Sequence, residues 1–197
     1  IELNNYEKSY LKNDIVCFNQ QLLRLKDKVL RIGVYGKAGV GKSSILNSIL
    51  KEDYFNTGIL NGSTKEINSK EWILKKGLIN KVVLIDFPGI DIYETTSVEE
   101  DNNKILNLDV VLFIISGDIN RNEVNNLNLL IKNGKKIIII FNKIDIWSES
   151  EIKAIEKNIR KKLINNSKIP LITTSIKNSK IKHSQSSIDN YLIKMLN

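Results

Sequence analysis

The chain has 197 residues, of which 42% are hydrophobic, and 30 Lys and Arg against 22 Asp and Glu give a net charge of +8. This length suits one domain with a full core, and the lack of an apolar run of about 18 residues excludes a membrane-spanning helix. One cysteine excludes an internal disulfide, and the polar start is unlike a signal peptide. We expect a cytoplasmic protein, either free or peripheral to a membrane.

Residues 1 to 28 precede the first strand and have a helical pattern. Five apolar residues recur at alternate spacings of four and three, namely Leu11, Ile15, Phe18, Leu22 and Leu25. The favoured interpretation is an N-terminal helical extension whose stripe is buried on the domain itself, and the alternative is a helix that binds a partner or dimerises. Because the chain starts at Ile1, we expect further residues before it in the full protein.

Alternating strand and helix patterns follow. The predicted strands are 29–35, 71–74, 82–85, 110–115, 137–141 and 169–173, and the second and third of them could pair as a hairpin. A long polar loop covers 51–69, and the predicted helices are 42–50, a short one near 104, 123–131, one after the capping box Ser148–Glu151, and 188–196. This order indicates an α/β fold with three layers and a doubly wound, mostly parallel sheet, spanning 29–197, with ligands at the carboxyl ends of the strands.

The segment between the first strand and the first helix has the spacing Gly, four residues, Gly, Lys, Ser. Glycines in this pattern let backbone N–H groups surround phosphate oxygens, and the helix N-terminus adds the positive end of its dipole. Lys42 would reach the terminal phosphates, and Ser43 would offer a hydroxyl to Mg²⁺. The predicted phosphate-binding residues are Gly36, Lys37, Ala38, Gly39, Val40, Gly41, Lys42, Ser43 and Ser44.

Asp86, Phe87, Pro88 and Gly89 end the strand that follows the long loop. Standing alone, this run would also suit an ordinary turn. After a phosphate loop, the Asp86 carboxylate would hold Mg²⁺ through water and the Gly89 N–H would face the γ-phosphate.

Asn142, Lys143, Ile144 and Asp145 close the strand 137–141, and this run resembles the guanine-reading box of GTP-binding proteins. A carboxylate accepts the paired donors of the guanine N1–H and exocyclic amine, a pattern that adenine lacks, so Asp145 would select the base. The resemblance implies that Asn142 braces the loop and that the stem of Lys143 lies over the base.

Two further sites follow from the same resemblance. Ser175, Ile176 and Lys177 resemble a degenerate form of the family's last guanine-binding box, with Ile in place of the usual Ala. Thr64 is the preferred candidate for the threonine that contacts Mg²⁺ and the γ-phosphate in the triphosphate state. Thr57 and Ser63 are its rivals.

The resemblance covers residues 29 to 197 and is to translation-factor-related P-loop GTPases, either of the Era type or of the septin-like and immunity-related branch. It implies a G domain that binds GTP and GDP and hydrolyses GTP with Mg²⁺, with Lys42, Thr64 and Gly89 at the reacting phosphate. Ile90 stands where Ras-like proteins have a glutamine that positions water, so we expect slow hydrolysis without a dimer or an activating protein.

The output partner has two interpretations. Residues 150–197 hold ten Lys and Arg against three Asp and Glu. The favoured interpretation of this basic C-terminal third is a solvated helix face, and the other is a surface that contacts RNA, a ribosome or an anionic membrane. The alternative is the G domain of a dynamin-like or septin-like protein that acts through nucleotide-dependent self-association. A third class of function is a nucleotide-binding structural module that hydrolyses little GTP, as the resemblance to septin-like domains implies.

Overall fold

The computed structural model describes residues 5–57, 67–72, 81–89, 107–163 and 168–176. Within these ranges the strands are β1 (Val29–Tyr35), β2 (Asn68–Trp72), β3 (Lys81–Asp86), β4 (Val110–Ile115), β5 (Lys136–Phe141) and β6 (Leu171–Thr173). The helices are α1 (Asn5–Lys26), α2 (Lys42–Leu50), α3 (Arg121–Lys132) and α4 (Glu149–Lys162), with a 3-10 turn at Ile144–Ile146.

The strands form one sheet in the order β2-β3-β1-β4-β5-β6. β3, β1, β4, β5 and β6 are mutually parallel, whereas β2 pairs antiparallel with β3. The carboxyl ends of the five parallel strands therefore meet at one edge of the sheet. The predicted doubly wound, mostly parallel α/β fold is confirmed, and this edge is where such folds bind ligands.

Helices cover both faces of the sheet, which explains the uninterrupted apolar sequence of the central strands. Side chains alternate in direction along a strand, so Leu112 of β4 packs on the α2 side with Leu46. The neighbouring Phe113 packs on the other side with Leu127 of α3 and Ile159 of α4. The result is the three-layer core that the sequence predicted.

The second strand differs from its predicted position. β2 starts at Asn68 and ends at Trp72, so the expected strand 71–74 begins three residues earlier and overlaps the end of the predicted loop 51–69. The predicted hairpin pairing with β3 is correct. Sequence patterns placed β2 poorly because it is a polar edge strand whose extended form depends on its pairing with β3.

Several predictions fall outside the described residues and stay predictions. They concern Ser63, Thr64, Ile90, Lys177, the short helix near 104 and the helix 188–196.

α1 is helical as predicted, but the favoured interpretation that the domain buries its apolar stripe is wrong for the part of the chain described here. The five stripe residues are between 41% and 70% exposed, and we call them the α1 seam: Leu11, Ile15, Phe18, Leu22 and Leu25. The reason is that α2, α3 and α4 already cover the sheet. Neither α1 nor another helix in the described ranges is long and apolar enough to cross a bilayer.

Candidate functional site

The phosphate loop joins the end of β1 to the start of α2, as its sequence context predicts. Gly41 immediately precedes α2 with φ 95° and ψ 31°, and no side chain caps the helix there. The first N–H groups of α2 are therefore not engaged by a side-chain cap and face the carboxyl edge of the sheet. A helix N-terminus of this kind binds anions through its N–H groups and its dipole.

Lys42 occupies the centre of this loop. Its Nζ donates to the carbonyl oxygens of Lys37 at 2.8 Å and of Gly36 at 3.1 Å, and the residue is buried. The ammonium group is thus held against the backbone of the loop that the sequence predicted to surround phosphates.

The two predicted Mg²⁺ ligands from different strands lie in direct contact. The Ser43 hydroxyl donates to Asp86 Oδ2 at 2.5 Å, and both residues are buried. Gly89 lies against the phosphate loop, because a Cβ added there would be 2.7 Å from Ala38 N. The end of β3 and the phosphate loop are therefore one site, as their order in the sequence suggested.

The predicted base-reading loop after β5 is bonded to the phosphate loop. Asn142 Nδ2 donates to Val40 O at 2.9 Å, and Lys143 Nζ donates to Gly39 O at 2.6 Å. These contacts join residues more than one hundred positions apart in the sequence. The two loops are consequently held together at the carboxyl edge of the sheet.

Asp145 is positioned by the segment that follows β6. Ser175 Oγ donates to the Asp145 carboxylate, and the Ile144 N–H donates to Thr174 O at 3.2 Å. Ser175 is buried while Asp145 is exposed. Ser175 therefore orients the Asp145 carboxylate from the protein interior, and the carboxylate remains accessible to a ligand. Ile176 packs on the core from the same segment, so the substitution of Ala by Ile is accommodated by burial.

Sequence patterns did not reveal the partner of Lys37. Its Nζ lies 3.4 Å from Glu123 Oε2, and that carboxylate also accepts from the Asn120 N–H at 2.8 Å as part of a capping box at the start of α3. The Asn-x-x-Glu spacing could have indicated the cap. The contact of Glu123 with Lys37 of the phosphate loop could be found only from the tertiary structure.

Asn47 was also missed. Its Oδ1 accepts from Phe55 N at 2.8 Å and from Tyr54 N at 3.2 Å, while its Nδ2 donates to Phe55 O at 2.9 Å. An asparagine on the buried face of a helix was the available signal, since such a side chain needs partners. It fixes residues 54 and 55 at the start of the predicted loop 51–69, the segment in which the sequence places the Thr57 and Thr64 candidates.

We expect Gly41→Ala to destabilise the protein by about 2 to 4 kcal/mol. Its φ of 95° is strained for an L residue, and the new Cβ would lie 2.4 Å from Asn142 Nδ2, so the bond between the two loops would break. Gly134→Ala is the matched control, because Gly134 has φ 68° with nothing within 4 Å, and it should cost only about 1 kcal/mol. Urea unfolding measures both, and equal losses would contradict the importance of the loop contact.

Comparisons with known proteins show the family of the chain. The family model described as 50S ribosome-binding GTPase matches residues 31–143, more than half of the chain. GTPase Der of Deinococcus deserti is 30% identical over 152 residues, covering 74% of this chain and 34% of Der. The tRNA modification GTPase MnmE of Mycoplasma mycoides is 32% identical over 150 residues, covering 71% of this chain and 32% of MnmE.

The fold has solved counterparts. A variant of Era from Aquifex aeolicus bound to GDP and aluminium fluoride superposes with a TM-score of 0.65 at 24% identity, covering 86% of this chain and 57% of Era. The chain spans about a third of the length of Der and of MnmE. Because the family model matches more than half of the chain, the chain belongs to the family described as 50S ribosome-binding GTPase, and it has the fold of Era.

Proposed function

We propose that this chain is a guanine-nucleotide switch that binds GTP and GDP with Mg²⁺ and hydrolyses GTP slowly in the absence of a partner or dimer. The observation that carries the proposal is the pair of hydrogen bonds from Asn142 and Lys143 to the phosphate loop. They support one nucleotide held at its base by one loop and at its phosphates by the other.

Asp145 supplies guanine selectivity in this proposal. Its carboxylate offers two acceptor oxygens, and Ser175 donates to one of them. Charged acceptors make stronger hydrogen bonds than neutral ones, so a pair of guanine donors gains much more here than adenine could. The Lys143 side chain bridges from the same loop to Gly39, which supports the implied place of its stem over the base.

The residues at the phosphate end fit Mg²⁺. Ser43 and Asp86 present a hydroxyl and a carboxylate oxygen in contact, and these hard oxygen donors are the ligands that Mg²⁺ prefers. The described ranges contain no cluster of three or more His, Cys, Asp or Glu side chains suited to a metal. A small protein ligand set is typical of Mg²⁺ sites completed by phosphates and water. The bound ion would neutralise phosphate charge.

Hydrolysis depends on positioning and on neutralising charge at the γ-phosphate. Lys42 and the Gly89 N–H are the described groups proposed for this role, with Thr64 as a further candidate from the sequence. Lys37 is a cation of the same loop, but its ammonium faces Glu123. An additional cation supplied by a partner or by a second copy would therefore accelerate the reaction, which supports the expectation of a slow isolated chain.

For the partner of the switch we propose a class of molecule, RNA. One Era structure with a TM-score of 0.66 contains a segment of 16S ribosomal RNA, which supports RNA as the partner of the basic C-terminal third. Part of that positive charge serves the fold, since Arg160 donates to Ile169 O at 2.5 Å and Lys162 donates to Asp118 at 2.9 Å. The remaining lysines would bind RNA in a salt-dependent manner.

Calorimetric titration with GDP, a GTP analogue, ADP and an ATP analogue, with and without Mg²⁺, tests the proposed function. We expect guanine nucleotides to bind at least about 100-fold more tightly than adenine nucleotides, and Mg²⁺ to strengthen the triphosphate more than the diphosphate. Equal competition by ATP would refute the base assignment. Phosphate release at several turnovers per second by the isolated chain would refute slow hydrolysis.

A further inference from the structure

The α1 seam is an apolar helix surface that the described part of the domain does not cover. α1 contacts the domain near its C-terminal end, where Arg24 Nη2 donates to Asn107 O at 3.1 Å and lies 3.7 Å from Asp109 Oδ1. Its 22 residues span about 33 Å. Most of the helix therefore projects beyond this attachment, with the seam exposed.

The seam is narrow, and its width indicates the kind of partner. At 100° per residue its five members fall within an arc of about 80°, as the a and d positions of a heptad do. A column of polar residues, Lys12, Asn19 and Lys26, separates it from two other exposed apolar residues, Val16 and Leu23. A helix lying in a lipid surface needs a wider apolar face, so this seam favours a second helix.

The charge pattern on the two sides of the seam selects a parallel pair. By register, Lys12 and Lys26 occupy e positions, whereas Glu7 and Asp14 occupy g positions. Parallel pairing of two copies brings each g position beside the e position five residues later in the other chain, so Glu7 would meet Lys12, Asp14 would meet Asn19, and no like charges would meet. Antiparallel pairing would bring e beside e, and the two lysines would repel each other.

The composition of the seam agrees with two strands. Ile15 and Leu22 occupy the a positions, and Leu11, Phe18 and Leu25 occupy the d positions. An a-position isoleucine with d-position leucines favours dimers, and Ile15 between Leu11 and Leu25 follows this rule, whereas Leu22 and Phe18 do not contribute to it. The exposed seam amounts to on the order of 500 Å², against about 800 Å² per partner for a stable interface. Two heptads are short, so the association should be weak.

We propose that α1 pairs with α1 of a second copy of this chain as a parallel two-stranded coiled coil. Each α1 leads into the amino end of β1, whereas the phosphate loop follows its carboxyl end, about 23 Å away. The pairing tethers two GTPase domains on the same side without joining their nucleotide sites. It is therefore independent of nucleotide, and it differs from the nucleotide-dependent self-association predicted as an alternative from the sequence.

Sedimentation equilibrium of the 197-residue chain between roughly 10 µM and 1 mM, without nucleotide, tests the pairing. We expect a reversible dimer that Ile15→Asp with Leu22→Asp weakens by at least about tenfold. The matched control, Val16→Asp with Leu23→Asp, adds the same charges to the same helix outside the seam and should change the dimer constant by less than about threefold. GDP or a GTP analogue should leave the constant unchanged.

Orientation is tested by replacing the native cysteine and introducing Leu11→Cys. Parallel pairing brings the two introduced thiols together, so mild oxidation should give a covalent dimer at protein concentrations where the non-covalent dimer forms. If the Leu11→Cys variant did not cross-link to itself but did cross-link to the Leu25→Cys variant when the two were mixed, the parallel arrangement would be overturned.

Two other results would overturn the proposal as a whole. One is a chain that stays monomeric at every concentration. If the seam variant of such a monomer also melts at a lower temperature, another part of the same chain covers the seam. The other is a dimer that the seam variant leaves intact. GTP binding is measured separately, so either failure is distinct from failure of the proposed function.

Discussion

Asp145→Asn should lower the affinity for GTP by on the order of 10²- to 10⁴-fold and raise the affinity for the xanthine nucleotide. Two hydrogen bonds to a charged acceptor contribute about 1.5 to 3 kcal/mol each, and asparagine would aim an N–H at a guanine donor. Xanthine carries a carbonyl in place of the exocyclic amine, so it accepts that N–H. Competition titrations with GTP, XTP and ATP measure the change.

The control for this substitution is Ser175→Ala. Ser175 donates to the Asp145 carboxylate without being expected to read the base, so its removal should weaken all guanine binding by roughly tenfold or less without favouring xanthine. The asparagine of the first variant keeps an acceptor oxygen for Ser175, so the loop should stay in place. Loss of GTP affinity in Asp145→Asn without any gain for XTP would mean that the carboxylate supports the loop and does not select the base.

Lys42→Ala should reduce GTP hydrolysis by on the order of 10² to 10³-fold, the cost of one positioned donor at a reacting centre. Its ammonium is buried among the carbonyl oxygens of the phosphate loop, where burial of a charge is costly without a bound anion. The protein without nucleotide should therefore lose little stability. The rise in melting temperature caused by a GTP analogue, which reports binding, should shrink markedly.

Lys37→Ala is the matched control from the same loop. Its ammonium lies 3.4 Å from Glu123 and is about a third exposed, so the ion pair contributes little to stability and the side chain points towards α3. We expect hydrolysis within about threefold of the unmodified chain. A loss as large as that of Lys42→Ala would show that Lys37 leaves Glu123 and reaches the γ-phosphate, and that the chain holds its own additional cation.

The phosphate loop shows why part of this site could be predicted. Local sequence determines where a strand ends, where glycines permit positive φ and where a helix begins, so Gly41, Lys42 and Ser43 were assigned to phosphate without a structure. The base-reading loop was assigned by its resemblance to a known box and by its place after a buried strand. Parallel strands then bring both loops to one edge of the sheet, which follows from topology.

Contacts between distant segments were not available from the sequence. The sequence by itself determined the α/β class, the order of the motifs and the apolar period of α1, because these depend on neighbouring residues. Only the tertiary structure decided that Asn142 and Lys143 bond to the phosphate loop, that Lys37 faces Glu123 and that β2 begins at Asn68. The tertiary structure also showed that the α1 seam is exposed. Whether an apolar stripe is buried depends on which surfaces the other elements already occupy, and the local periodicity of a helix contains no information about those surfaces.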